Sequence, residues 1–335
     1  MSAPRVSAVM TCYNAAWCIE RGLDSLMAQT RPPDEILVTD DGSTDDTVAR
    51  IRSRYGDAVK VVELPHRGLT PSRLAALDLA EGPWIALMDA DDTWLPEKLE
   101  RQLAFLERHP DVRWLMTDGL YVSEHEVLRE SWLADYFDEV REMAGDLFPL
   151  LVERCFPLVS SSLFHIEAYR TVGGFDASVP FSQDYDLWLR MAARFPGGVL
   201  ADRLIRYYSS PNQLSRRIEE RNRDDLRLMR TVARGDLRRD RTLQRTAAAR
   251  AAALEFDLGV TCLRSGRVRE GRVRLMRVAA ERGPMRRRGL ALLGAMVPQW
   301  TLGRLIRSPW LKTTVHRSRR TKPTMTARVE PEVRP

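Results

Sequence analysis

The sequence predicts an α/β protein: a Rossmann-like, mostly parallel sheet with helices on both faces, followed by a C-terminal helical region. Three observations predict it. Short apolar runs alternate with helical apolar patterns from Val6 to Thr117, the mark of βαβ units. Polar clusters, most of them rich in carboxylates, follow three of those runs, where open α/β sheets bind ligands. The charge is also divided: residues 1–200 carry 19 Lys and Arg against 33 Asp and Glu, a net of −14, whereas residues 201–335 carry 33 against 13, a net of +20.

Residues 6–10 form the first buried strand, which ends in Thr11-Cys12-Tyr13-Asn14; Ile19, Leu23, Leu26 and Met27 then mark a helix that Pro32-Pro33 breaks. Residues 35–39 make a second buried strand, and residues 40–47 a polar turn with helix-capping chemistry before residues 48–51. Residues 59–64 read as the third strand, Thr70-Pro71-Ser72 opens a helix that runs to Ala80, and residues 84–88 are the fourth strand, ending in Asp89. A helix follows from Glu97 to about His109, then a strand over residues 112–117. Residues 121–146, acidic and aromatic, read as a loop or short helices over the site. Residues 172–176 are a turn, and residues 184–193 a helix with Leu187, Trp188 and Met191 on its buried side. Residues 218–280 are helical and Arg-rich, with a break near Gly235.

At 335 residues and 44% hydrophobic, the chain has ample material for globular cores. Its four cysteines are scattered and form no Cys-x-x-Cys pair, which fits a reducing cytoplasm. No secretory signal is expected before Val6, and residues 289–300, shorter than a spanning helix needs and holding Pro298, predict no transmembrane segment. The acidic first half argues against a nucleic-acid partner. The basic second half suits anionic lipid headgroups, or is simply a solvated helical bundle.

Asp89-Ala90-Asp91-Asp92 is the sharpest chemical signal, because three carboxylates in four residues repel one another unless a cation or protonation offsets the charge. A structural turn is the competing reading. A hard divalent ion held by one or two carboxylates fills its open positions with phosphate oxygens, so the site predicts a phosphorylated donor. Neither Gly-x-x-x-x-Gly-Lys-Ser/Thr nor Gly-x-Gly-x-x-Gly occurs to cradle those phosphates. Tyr13 with Asp41 offers an aromatic face and an acceptor, as a pyrimidine with an N–H edge requires; taken alone, Tyr13 reads as core.

Residues 6–14, then Asp40-Asp41-Gly42-Ser43-Thr44-Asp45, then Asp89-Ala90-Asp91-Asp92 with Trp94-Leu95-Pro96-Glu97-Lys98-Leu99, resemble the successive signatures of family 2 glycosyltransferases with the GT-A fold. The resemblance covers residues 6 to about 206. It implies that Thr11, Tyr13 and Asp41 bind the nucleobase, that Asp89 lies near the ribose, and that Asp91, with Asp92 as a weaker ligand, binds Mn2+ or Mg2+ bridging the diphosphate. Arg73 matches the family's arginine after the third strand and would serve the diphosphate or hold Asp41 or Asp89; a surface ion pair is the other reading. Phe181-Ser182-Gln183-Asp184-Tyr185-Asp186-Leu187-Trp188-Leu189-Arg190 is similar to the family's Glu-Asp helix, with Gln183 where Glu is common. An inverting transfer needs one carboxylate to take the acceptor's proton, and Asp184 is assigned that role; Asp186 reads as a first-turn helix charge. The five histidines read as structural or exposed, and Cys12 has no evident base to make it a nucleophile.

The resulting expectation is a metal-dependent inverting hexosyltransferase that moves a sugar from a nucleotide-diphosphate donor to a glycan, polysaccharide or lipid-linked acceptor. Its expected organisation is a GT-A catalytic domain over 1–210, an Arg-rich helical extension over 211–283, a basic amphipathic segment over 284–320 and a disordered tail over 321–335. In the third segment Trp300, Leu302, Leu305, Ile306, Trp310 and Leu311 interleave with Arg304, Arg307 and Lys312, a pattern that suits either an anionic bilayer interface at the inner face of the plasma membrane or packing onto the basic bundle. Two rivals stand beside the transferase. Residues 85–93 resemble a haloacid-dehalogenase-type phosphatase motif with Asp89 as nucleophile and Asp91 as acid/base, although that motif normally opens its domain and its later lysine is missing. A non-catalytic sugar-nucleotide scaffold, with Gln183 as its symptom, is the other.

Overall fold

The computed structural model describes residues 4–209 and 217–280, with residues 289 and 292. Two compact units divide the chain, one ending at Gln213 and the other beginning at Leu214. The expected segment 284–320, those two residues apart, and the tail 321–335 lie outside the described residues.

The first unit opens with β1 (Val6–Cys12), α1 (Ile19–Met27), β2 (Glu35–Asp40), α2 (Thr47–Tyr55), β3 (Lys60–Glu63), α3 (Leu69–Leu79) and β4 (Trp84–Asp89). It continues through β5 (Thr93–Trp94), α4 (Lys98–Arg108), β6 (Trp114–Val122), β7 (Val127–Arg129), β8 (Met143–Gly145), α5 (Phe148–Glu153), β9 (Leu163–His165), α6 (Ile166–Thr171), α7 (Gln183–Arg194) and β10 (Gly197–Tyr208). The strands form one sheet in the order β3-β2-β1-β4-β9-β6-β10-β5, with β7 on β6 and β8 on β10. β1 pairs in parallel with both β2 and β4, and β2 with β3. The chain therefore builds outward from β1 to β3 and then returns to the other side of β1, so the switch point lies between β1 and β4.

The helical alternation works as the apolar spacing predicts. Ile19, Leu23 and Leu26 of α1 pack on Met10, Val38 and Met88 of the sheet, and on the opposite face Trp188 of α7 stacks on Trp114 of β6 at 5.7 Å. Trp188 is thus core. β1, β2 and β4 are buried along nearly their whole length. β3, by contrast, is a half-exposed edge strand.

Three elements differ from the expectation. The segment over 121–146 holds the expected irregular chain and one short 3-10 helix, Leu133–Asp135, and in addition two short strands, β7 and β8. The three-residue β9 slips between β4 and β6, antiparallel to both, and is too short to leave a pattern. The twelve-residue β10, the longest strand, shifts register twice against β6, which breaks the alternation that would have marked it.

The second unit contains α8 (Ile218–Arg234), α9 (Arg241–Arg264) and α10 (Val268–Ala280). Gly235, left-handed at φ 82°, ends α8, and Asp240 caps α9 by accepting from the amides of Thr242 and Leu243. A second break, at Gly266 (φ 80°), separates α9 from α10. Phe256, Val260, Leu263, Leu275 and Val278 form its core. No helix among the described residues is long and apolar enough to cross a membrane.

Candidate active site

The parallel register sets the site. Thr11 at the end of β1 lies between Thr39 of β2 and Asp89 of β4, so the polar clusters emerge side by side at the carboxyl edge. The loops after β1 and β2 are laced together: the Asn14 amide donates to Ser43 Oγ at 2.8 Å, and the Thr44 amide donates to Asn14 Oδ1 at 2.8 Å. Asp45 caps α2 by accepting from Thr47 and also takes the Ala16 amide, so its carboxyl lies below the usual range despite the opposing effect of burial. Gly42 adopts φ +76°, and a Cβ there would stand 2.9 Å from the His66 amide, a turn that only glycine fits without strain.

Asp41 is buried and already well supplied. One carboxylate oxygen accepts from the Arg67 amide (2.9 Å) and Ser72 Oγ (2.8 Å), and the other from the Gly68 amide (2.9 Å), with His66 Nδ1 also at 2.9 Å. The His66 ring stacks on Tyr13 with centroids 4.2 Å apart, and Tyr13 is 46% exposed. Tyr13 is therefore not core, and His66 is part of the site. Its only sequence signal was its place just after the third strand. Thr11 Oγ1 is buried and has no hydrogen-bond partner among the described residues.

Arg73 is buried on α3 and bonds Asp89 Oδ1, so the surface ion pair is excluded. Its guanidinium also acts on Asp184, at the start of α7, whose carboxyl is pushed up chiefly by desolvation, with Arg73 opposing and Asp89 adding to the rise. Residues 73, 89 and 184, far apart in sequence, are thus electrostatic neighbours. Gln183 ties the two helix starts together: its Oε1 accepts from Thr70 Oγ1 of α3 at 2.7 Å. Asp186 pairs with Arg190, which also donates to the carbonyls of Val172 and Gly174. That is a structural duty.

The three carboxylates of the turn part company. Asp89 is held by Arg73. Asp91 is half-buried, and burial together with the negative charge of Asp89 pushes it up to about 6. Asp92 is buried and turned inward, where its oxygens accept from Ser160 Oγ and the Tyr208 amide, so it differs from the expectation of a second metal-facing carboxylate. Among the described residues no group of three or more His, Cys, Asp or Glu side chains could hold a metal ion. A single hard carboxylate with open positions remains at Asp91, and that donor chemistry fits Mn2+ or Mg2+ completed by diphosphate oxygens. Cys12 is pushed well above the usual thiol range by burial and by Asp40, and Cys18 up to about 12 by burial; neither is a nucleophile at neutral pH.

The sheet order, with the polar strand ends gathered at its switch point, is that of a GT-A enzyme. Two family models agree: Glycosyl transferase family 2 matches residues 7–143, and Glycosyl transferase family group 2 matches residues 84–250. The chain belongs to the family 2 glycosyltransferases. EpsE of Bacillus subtilis (strain 168), a glycosyltransferase by name, is 29% identical over 233 residues, covering 64% of this chain and 77% of EpsE. The chondroitin synthase of Pasteurella multocida (strain Pm70) is 27% identical over 191 residues, 56% of this chain but 19% of the synthase. Among solved structures, TarS 1-349 of S. aureus in complex with UDP-GlcNAc matches with TM-score 0.67 at 18% identity over 92% of each chain. A mannosyltransferase of Pyrobaculum calidifontis, in complex with GDP-Man and Mn2+, matches with TM-score 0.59 at 20% identity, covering 95% of this chain and 86% of that one. These two likenesses establish the fold. The phosphatase reading ends here, because the Asp89 strand is the fourth in a glycosyltransferase sheet and its carboxylate is bound to Arg73. The scaffold reading loses its symptom as well, since Gln183 has a structural partner in Thr70.

Proposed function

We propose that the protein moves a sugar, with inversion, from a nucleotide-diphosphate sugar to a hydroxyl of a glycan, polysaccharide or glycolipid, with Asp184 as general base. The observation that carries this reading is the convergence of Asp89, Arg73 and Asp184 at the carboxyl edge of β4. Desolvation makes the Asp184 carboxylate more basic than a free one, which suits it to take the acceptor proton as that oxygen attacks the anomeric carbon. The bond to the diphosphate breaks on the opposite face of the sugar. Arg73 fixes Asp89 where the ribose would lie, and Thr11, Tyr13 and Asp41 would frame the base. Three donors already bond the Asp41 carboxylate and His66 Nδ1 stands between its Oδ2 (2.9 Å) and the Asp41 carbonyl (3.0 Å), so a base N–H would reach that carboxylate beside or in place of His66. Asp91 would hold Mn2+ or Mg2+, which supplies charge neutralisation for the departing nucleoside diphosphate.

The relatives support this reading through the donors in their complexes, UDP-GlcNAc for TarS and GDP-Man for the mannosyltransferase. A thermal-shift screen of the full chain against UDP-, GDP- and dTDP-sugars, with and without Mn2+, tests it: a metal-dependent rise for one nucleotide class is expected, and no rise with any donor overturns it. The same reading places the enzyme in the cytoplasm, with segment 284–320 meeting anionic headgroups. Co-sedimentation with anionic vesicles should then be lost at high salt, and its absence at low salt removes the membrane contact.

A further inference from the structure

Ser160 lies on a single 3-10 turn, Val159–Ser161, just before β9. In the antiparallel register of β9 with β4, Trp84 faces His165 and Ala86 faces Leu163, so continuing that ladder brings residue 160 opposite residue 89. The inserted strand thus delivers a hydroxyl to the base of the acidic turn. Ser160 Oγ accepts from the Asp89 amide at 3.0 Å and donates to Asp92 Oδ2, while the Tyr208 amide at the end of β10 donates to Asp92 Oδ1 at 3.1 Å. The Asp92 amide closes the turn on the Asp89 carbonyl at 3.1 Å. A floor lies beneath. Trp94 Nε1 donates to the Ser160 carbonyl at 2.8 Å and its ring carries Lys98 Nζ at 3.8 Å; Lys98 donates to Gln102, which donates to the Ser161 carbonyl at 2.9 Å. The Trp94 to Lys98 signature is absorbed here.

The side chains of Ser160, Asp92, Trp94, Lys98 and Gln102 are each at most 2% exposed. A buried carboxylate is tolerated only when its oxygens are hydrogen-bonded, and those of Asp92 are. To serve as a metal ligand Asp92 would have to give up a partner and turn outward. Asp91, two residues from Asp89 in the same turn, accepts no hydrogen bond from another side chain among the described residues; Arg21 donates to its carbonyl at 3.2 Å and lies close enough to act on its carboxylate.

We propose that Ser160 is a positioning residue, clamping the Asp89 amide to the Asp92 carboxylate so that Asp91 alone presents its carboxylate to metal and diphosphate. This rests on Asp91 being the metal-facing group of the proposed transferase. The test compares full-chain wild type with Ser160→Ala, Asp92→Asn and Asp91→Asn in two measurements. Hydrogen exchange of the amides of residues 89–94 is followed without metal, and Mn2+ uptake with UDP or GDP is followed by the loss of the free-ion resonance signal.

Ser160→Ala and Asp92→Asn are each expected to speed exchange in the turn and to weaken Mn2+ uptake about 10- to 100-fold, the usual effect of outer-shell changes. Asp91→Asn should abolish uptake while leaving exchange no faster than in the wild type. Wild-type exchange in Ser160→Ala overturns the clamp. So does an Asp92→Asn variant that takes up no Mn2+ while its turn exchanges normally, since that identifies Asp92 as a ligand. If the wild type takes up no Mn2+ with either nucleotide, the metal reading fails on its own, and the exchange data still decide whether Ser160 holds the turn.

Discussion

The two units handle negative charge in opposite ways. At the carboxyl edge of the first unit, Asp91 rises to about 6 and Asp92 and Asp184 also rise, each chiefly through burial. In the second unit Glu219 is held down to about 2 by Arg267, with Arg223 assisting. There the wholly buried Glu255 meets Arg230 at 2.9 Å, Arg274 at 3.2 Å and Arg277 at 3.6 Å. Arginines in the helical unit neutralise carboxylates that join helices. The sheet unit leaves carboxylates under-compensated where, in the proposed transfer, a cation and a diphosphate would arrive. A raised carboxylate at such an edge points to a ligand site at Asp91 and Asp184, whereas at Asp92 it is chiefly burial that raises a group whose oxygens are already bonded.

Four substitutions sharpen or break that contrast. Asp184→Asn should cut the transfer rate by about 10²- to 10⁴-fold, the usual contribution of a positioned base, with donor affinity unchanged by calorimetry. An equal loss of binding would make Asp184 a donor contact instead. Glu255→Ala leaves three arginines without their shared carboxylate and should lower stability by about 2–3 kcal/mol in urea melts, less than the loss for a wholly buried pair because Arg230 and Arg277 reach solvent.

Asp91→Asn should do the reverse and stabilise the metal-free protein. The folded Asp91 binds its proton more tightly than the unfolded one, so the group favours folding below about pH 4 and progressively loses that contribution as pH rises through about 6. The gain from Asp91→Asn, about 1–2 kcal/mol after allowance for partial exposure, should therefore appear at pH 8 and vanish at pH 4. Glu219→Gln is expected to cost about 0.5–1 kcal/mol. With its folded value depressed, Glu219 contributes above about pH 4.5 and loses that contribution as pH falls toward 2, opposite in sign to Asp91 and checked by the same pH series of melts.

Part of the candidate site was legible because parallel strands are buried apolar runs whose ends must turn polar. That rule located the clusters holding Thr11, Asp41 and Asp89, and the family resemblance singled out those residues together with Arg73 and Asp184. What escaped notice depends on long-range pairing. Ser160 carries no pattern, since its role exists only once β9 is inserted beside β4. His66 reads as structural or exposed in the sequence because the five histidines are too dispersed for a ligand set, yet Gly42 and the Arg67-Gly68 amides bring it onto Asp41 and Tyr13. The inward turn of Asp92 was equally invisible, because spacing along a chain does not reveal which carboxylate has found donors.

Helix α7 is anchored by Gln183 to α3 at its first residue, and by Arg190 to the carbonyls of Val172 and Gly174 two turns later. Asp184, the proton acceptor of the proposed transfer, is mounted on it rather than hinged. Orienting that group is accomplished when the chain folds, so no ordering entropy remains to be lost on its side of the encounter in each turnover. Variation in rate from one acceptor to another should therefore reflect how each incoming alcohol is delivered to a fixed point, not how far the enzyme reaches to meet it.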